Sequence, residues 1–272
     1  VYDAIATTTD AVDLLTGNVG TESRYWANCM YPRPSMERPF DFFYYVYLEG
    51  TFNMCSNALP DAKKGIIGEY IRQGASEASP FHEPDDDDPN LNFGFGDLWR
   101  KTEILTELQF RLPQIRLAEN YSTNAAARAA NKKCYMYLFE KGQVLADKPW
   151  ARSMHASEMP YVFRQPYYTD YGPLNKGLMG RVSEFIVEFV KDGVPKYRAK
   201  DGKDAPLTRA MEYRVKADDK VGMPRSTVVF RDLEPGAEPV ESCCKIEEVG
   251  DPRREKREFL MPVSVSLPPG MF

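Results

Sequence analysis

The sequence predicts an α/β protein, a mostly parallel sheet flanked by helices. Short runs of β-forming residues, Val12–Leu15, Cys134–Phe139 and Ser226–Phe230, alternate with longer segments whose apolar residues recur at helical spacing. The central run, Cys134–Phe139, is apolar or aromatic at nearly every position and reads as a strand buried on both faces. At 272 residues, 43% of them hydrophobic, the chain has enough apolar material to bury a sizeable core.

Taken in order, Val12–Leu15 followed by Thr16 and Gly17 reads as a short buried strand running into a glycine turn. Tyr31 to Pro39 holds three prolines and reads as a loop, and Phe40 to Phe52 is packed with aromatics. Pro60 to Gln73 places Ile66, Ile67, Tyr70 and Ile71 at helical spacing, with Pro60 suited to a first turn. Residues 74–96 form an acidic loop with the run Asp85–Asp88. Leu98 to Asn120 carries a helical stripe that Pro113 must kink or divide, since proline lacks an N–H and its ring meets the carbonyl four residues back. Leu174 to Lys191 is the clearest amphipathic helix, stopped by Asp192 and Gly193. Residues 197–272 are polar, proline-containing and irregular apart from the late strand Ser226–Phe230.

Composition excludes several classes of function. With 35 basic against 40 acidic residues the net charge is −5, and no basic block could neutralise a row of phosphates, so nucleic acid is not an expected partner. The most apolar run, Phe42–Leu48, is far shorter than the ~20 residues of a transmembrane helix, so no transmembrane span is expected. Five cysteines (Cys29, Cys55, Cys134, Cys243, Cys244) form no C-x-x-C pair and the only histidines are His82 and His155, so neither zinc nor another metal is expected. The acidic run lacks EF-hand spacing and reads as solvated loop. An odd cysteine count leaves one thiol free, or paired outside the chain, in an oxidising compartment. The sequon Asn120-Tyr121-Ser122 makes Asn120 a glycosylation candidate and favours a secreted or secretory-pathway protein. The start at Val1, without an initiator methionine or a signal-type leader, reads as that of a processed chain.

Any imidazole chemistry must use His82 or His155. His82, beside Glu83 and Asp85, reads as an exposed histidine of the acidic loop. His155 follows the central strand by a short loop, where an α/β sheet can place a general base, although residue type alone fits a structural histidine as well. The segment from His155 through Glu158 to Tyr161, Val162 and Phe163 resembles the histidine motif of the carboxylesterase and cholinesterase family of α/β hydrolases. Leu14–Ser23, a strand with Gly17 and a glutamate five residues later, is similar to that family's acidic motif. Pro113 within Leu112–Ala118, the strand Tyr135–Phe139, and Leu174–Lys191 followed by Asp192, Gly193 and Pro195 match further family segments in the same order. The resemblance spans residues 11–30 and 97–195.

That resemblance implies that residues 1–272 are the C-terminal half of one α/β-hydrolase domain, completed by an N-terminal half. It implies acyl transfer without a cofactor, on a small ester substrate, with His155 as general base and Glu22 as triad acid. The nucleophilic serine and oxyanion hole would come from the other half, because the G-x-S-x-G elbow precedes the acid in chain order and no serine precedes Glu22 here. Gly74-Ala75-Ser76-Glu77-Ala78 follows Glu22, lies in a loop and makes a poor substitute. In this frame Phe40–Phe52 is core first and the wall of an acyl pocket second. Three positions depart from the family pattern: Arg152 and Arg164 stand near or at sites commonly held by glycine, and Leu112 replaces the cysteine of a cholinesterase disulfide. The alternative expectation is a cholinesterase-like module that binds without catalysing.

Overall fold

A computed structural model describes residues 12–24, 50–83, 87, 97–140, 152–165, 173–198, 205–215, 225–232, 244–250, 253–264 and 266. The loop expected at Tyr31–Pro39, most of the aromatic block, Cys29, Cys243 and the other aspartates of the acidic run lie outside these residues. In chain order the elements are β1 (Leu14–Val19), α1 (Gly50–Asn57), α2 (Asp61–Gly74), α3 (Leu98–Thr106), a π turn (Glu107–Arg111), α4 (Leu112–Thr123), α5 (Ala125–Ala129), β2 (Cys134–Glu140), α6 (Met159–Val162), α7 (Pro173–Asp192), β3 (Lys196–Tyr197), β4 (Thr208–Arg209), β5 (Thr227–Asp232), β6 (Cys244–Val249) and α8 (Arg254–Ser264). They form two compact units, one of residues 1–20 and 114–252, the other of residues 21–113 and 253–272.

The first unit is built on a four-stranded sheet of order β1-β2-β5-β6. β1, β2 and β5 run parallel, and β6 pairs antiparallel with β5. One face packs on α7: Val19, Tyr135, Phe139, Val228 and Phe230 meet Leu178, Val182 and Phe185, with the Phe185 and Phe230 rings edge to face at 5.3 Å. The opposite residues of β2, Cys134, Met136 and Leu138, are buried as well. β2 is therefore the strand covered on both faces that its composition predicts. The stripe of α7 ends at Gly193, whose φ of +66° is the left-handed stop expected of a glycine there.

The glycine turn expected at Thr16–Gly17 is not formed; β1 continues to Val19. Gly17 stands opposite Tyr137 in the ladder, and a Cβ at Gly17 would come within 2.4 Å of that ring. Glycine here makes room for an aromatic neighbour. Among the described residues β1 forms the sheet's edge, with a parallel partner on one side only.

The second unit contains α1, α2, α3, the π turn and α8, with α8 packed on α2 and on the π turn. Pro60 serves as the N-cap of α2 and does not enter its first turn. Tyr70, Phe81 and Phe259 of α8 form a cluster of mutually tilted rings at centroid separations of 4.8 to 6.1 Å. The break forced by Pro113 takes the form of the five-residue π turn immediately before it, which widens the helix ahead of the proline.

Beside the rings lies a buried ionic cluster. Glu103 accepts hydrogen bonds from Arg253 and from Arg111 (3.3 Å), with Lys256 at 3.6 Å. Glu107 pairs with Arg111, and Glu83 accepts from Lys256. Burial alone would push the Glu103 carboxyl up, but Arg253, Lys256 and Arg111 outweigh it and hold it below the usual carboxylate range. Burial pushes the Glu107 carboxyl up, Arg111 opposes this, and neighbouring Glu103 reinforces it.

Two expectations are corrected by these contacts. Residues 197–272 are not irregular throughout: they contain β4, β5, β6 and α8, and α8 continues through Pro262. The 74–96 stretch is not simply solvated, since Glu83 is buried and ion-paired, and His82 sits half-buried with Nδ1 3.0 Å from the Gly74 carbonyl and Nε2 2.8 Å from the Asp87 carboxylate. No helix among the described residues is long and apolar enough to cross a membrane.

Candidate active site

The two candidate triad residues fall in different units, His155 in the first and Glu22 in the second. His155 lies in the turn of residues 155–158, which enters α6 at Met159. Backbone hydrogen bonds from Ser157 N–H to the Met154 carbonyl (3.0 Å) and from Met159 N–H to Ala156 (3.1 Å) close this turn. Tyr161 anchors it, fully buried and packed on Phe139 at 5.1 Å, near the carboxyl end of β2. Gly20, just past the carboxyl end of β1, hydrogen-bonds to the Phe139 carbonyl, and a Cβ there would lie 2.7 Å from the Ser153 hydroxyl. The loop is thus held against the carboxyl ends of two parallel strands, with the His155 side chain exposed.

Two of the departures from glycine flank this histidine in the left-handed backbone region that glycine favours. Arg152 and Arg164 adopt φ of +44° and +49°, and Ala156, directly after His155, adopts +63°. All three are left-handed conformations that cost an ordinary residue ~1–2 kcal/mol. Tight anchoring at Tyr161 and Phe139 supports a turn whose own residues do not favour it.

In the second unit Glu22 is buried, 4% exposed, inside a turn closed by a hydrogen bond from Arg24 N–H to the Thr21 carbonyl (3.0 Å). Both residues that follow it are fixed by α3. Ser23 N–H donates to Thr106 Oγ1 at 3.1 Å, and the Arg24 guanidinium lies over the Trp99 ring at 4.3 Å. Each candidate is thus held within its own unit, Glu22 as a buried acid on a closed turn and His155 as an exposed residue on an anchored loop. Sequence reasoning missed the contacts that hold the turn after Glu22, which come from a threonine and a tryptophan on a helix more than 70 residues away.

Among the described residues no group of His, Cys, Asp and Glu side chains could hold a metal. Burial pushes the Cys55 thiol up to about 11 and the Cys134 thiol up to about 12, so neither serves as a nucleophile at neutral pH. Asn120, the glycosylation candidate, lies on α4 and is partly exposed.

The family model described as the carboxylesterase family matches residues 2–225, a span that includes both candidate residues. The chain belongs to the carboxylesterase family. Among solved structures this carboxylesterase-family chain is similar to a PNB esterase, at 18% identity and a TM-score of 0.50, covering 95% of this chain and 40% of that one. It is also similar to a thermophilic PNB esterase, at 17% identity and a TM-score of 0.53 with the same coverage. At these identities the likeness shows the fold: a mostly parallel α/β sheet of the esterase type, of which this chain spans about 40% of the neighbours' length. No curated protein sequence matches it.

Proposed function

We propose that this chain is the C-terminal part of a serine carboxylesterase and supplies the general base, His155, and the triad acid, Glu22. The observation that carries the proposal is the exposed imidazole of His155 at the carboxyl ends of parallel strands in a carboxylesterase-family chain. The nucleophilic serine and the oxyanion hole belong to the N-terminal half. In the reaction the serine Oγ attacks the ester carbonyl as His155 removes its proton, and the tetrahedral intermediate collapses as His155 returns that proton to the leaving alkoxide. Water, activated by the same imidazole, then releases the carboxylic acid and regenerates the serine. Glu22 fixes the imidazole tautomer and stabilises the imidazolium electrostatically, a role a glutamate performs as well as an aspartate. A secretory route and a glycan on Asn120 belong to the same proposal.

Fluorophosphonate labelling of the native protein, resolved under denaturing conditions, tests this reading. The expected result is label on a serine of the polypeptide segment that completes the fold, lost on prior treatment with an ester substrate analogue. Absence of label from the intact, folded assembly overturns the reading in favour of a carboxylesterase-like module that binds without turnover.

A further inference from the structure

We propose that α3 is the platform that aims the Glu22 carboxylate, with Thr106 as the positioning residue; the inference rests on Glu22 being the triad acid. A glutamate has one more rotatable bond than an aspartate, so its aim depends on how firmly the backbone beneath it is held. Glu22 sits in a tight turn, and the helix grips the two residues that follow. Thr106 is fully buried; its hydroxyl donates to the Thr102 carbonyl at 3.0 Å, which fixes the O–H and leaves the oxygen free to accept from Ser23 N–H at 3.1 Å. Seven residues earlier on the same face, Trp99 carries the Arg24 guanidinium at 4.3 Å. Arg24 is held a second time by Glu83, 4.0 Å away, which Lys256 of α8 pairs from its other side. The turn is therefore clamped at two points two helical turns apart.

The clamp has a chemical consequence. A carboxylate displaced by an ångström keeps the protein folded but stabilises the His155 imidazolium less, so turnover falls and the imidazole ionises at lower pH. Thr106→Val removes the acceptor at nearly constant volume, and Thr106→Ser retains it. In the assembled esterase, with active sites counted by fluorophosphonate titration, Thr106→Val is expected to lower kcat per titrated site about 10- to 100-fold with KM little changed. The acid limb of its kcat/KM profile moves to lower pH, and Thr106→Ser restores both. A valine variant with wild-type kcat per site and an unmoved acid limb overturns the inference, whatever its thermal stability. Should the valine variant fail to accumulate, Arg24→Gln, which loosens the other flank, is judged by the same two criteria. Glu22→Gln distinguishes the premises: wild-type turnover there removes the triad reading itself, whereas an inactive Glu22→Gln beside a normal Thr106→Val removes only the platform.

Discussion

The two units fill their interiors with different chemistry. In the first, the largest buried side chains are rings, Phe139, Tyr161, Phe185 and Phe230, layered between a parallel sheet and one long helix. In the second, Arg24, Glu103, Glu107 and Arg111 are as buried as those rings and share the interior with Trp99, Leu105 and Tyr70. An apolar core gains from every contact and demands little orientation, whereas a buried ion must find its counter-ion or destabilise the fold. The contrast extends to the proposed active site: the histidine is an exposed group on an apolar scaffold, and the glutamate is a buried group in a polar one.

The largest expected effect tests the roles assigned across that divide. His155→Ala in the assembled enzyme should lower ester turnover by about 10⁴-fold or more, and Glu22→Gln by up to ~10⁴-fold. Because the imidazole is exposed, the alanine variant should unfold within about 0.5 kcal/mol of wild type. Steady-state kinetics and urea titration on the same preparations separate the two quantities. Near-normal turnover in either variant breaks the assignment.

The next effect sharpens the comparison inside the ionic core. Glu103→Gln leaves Arg253, Arg111 and Lys256 facing a neutral amide, and removing one partner of a buried ionic group costs about 3–5 kcal/mol. Glu107→Gln should cost less than Glu103→Gln, because burial and neighbouring Glu103 already disfavour that carboxylate. The pH dependences have opposite signs. The Glu103 carboxyl is held below its unfolded value, so its contribution is present above that value and is lost as pH falls through the folded one. The Glu107 carboxyl is raised, so the stability carried by its neutral form is lost as pH rises from the unfolded value through the folded one. Denaturant unfolding between pH 2 and 8 should therefore show the Glu103→Gln deficit growing as pH rises to the ordinary carboxylate value of 4.5 and level above it, while Glu107→Gln gains on wild type only above that value. Parallel curves for the two variants would remove the distinction drawn between them.

The same contrast explains what could be read from the sequence. α7 and β2 were legible because apolar burial writes itself as a stripe or a run: Leu178, Val182 and Phe185 on the helix, Cys134 to Phe139 on the strand. α8 was not, because the positions it buries include Lys256 and Arg257, which no hydrophobic pattern marks as interior. Glu83 failed to stand out for the same reason, its place in the core being set by Lys256, distant in sequence. His155 and Glu22 were legible as motif residues, while the grip of Thr106 on the Glu22 turn left no local signal. Gly17 was misread because its reason lies on the neighbouring strand. Gly17→Ala should cost about 1–3 kcal/mol by driving a methyl into the Tyr137 ring, and Gly17→Ala combined with Tyr137→Val should recover part of it. A destabilisation that Tyr137→Val leaves untouched would show that the glycine serves the backbone instead.

The smallest effect concerns strain beside the histidine. Ala156 and Arg164 hold φ of +63° and +49°, where a Cβ crowds the carbonyl that follows, and glycine does not pay this cost. Releasing ~1–2 kcal/mol of local strain is offset by the greater freedom glycine has in the unfolded chain, about 0.5–1 kcal/mol, so Ala156→Gly should stabilise by roughly 0.5–1 kcal/mol. Arg164→Gly should gain less, because it also gives up the weak contact from Arg164 Nη2 to the Gly180 carbonyl at 3.4 Å. The result bears on the first unit as a scaffold. If its apolar core dictates the loop, both variants gain stability and His155 keeps its place, with ester turnover unchanged. If Ala156→Gly is instead stabilised but slower, the strained alanine is what restricts His155, and rigidity at the base comes from the loop as much as from the core beneath it.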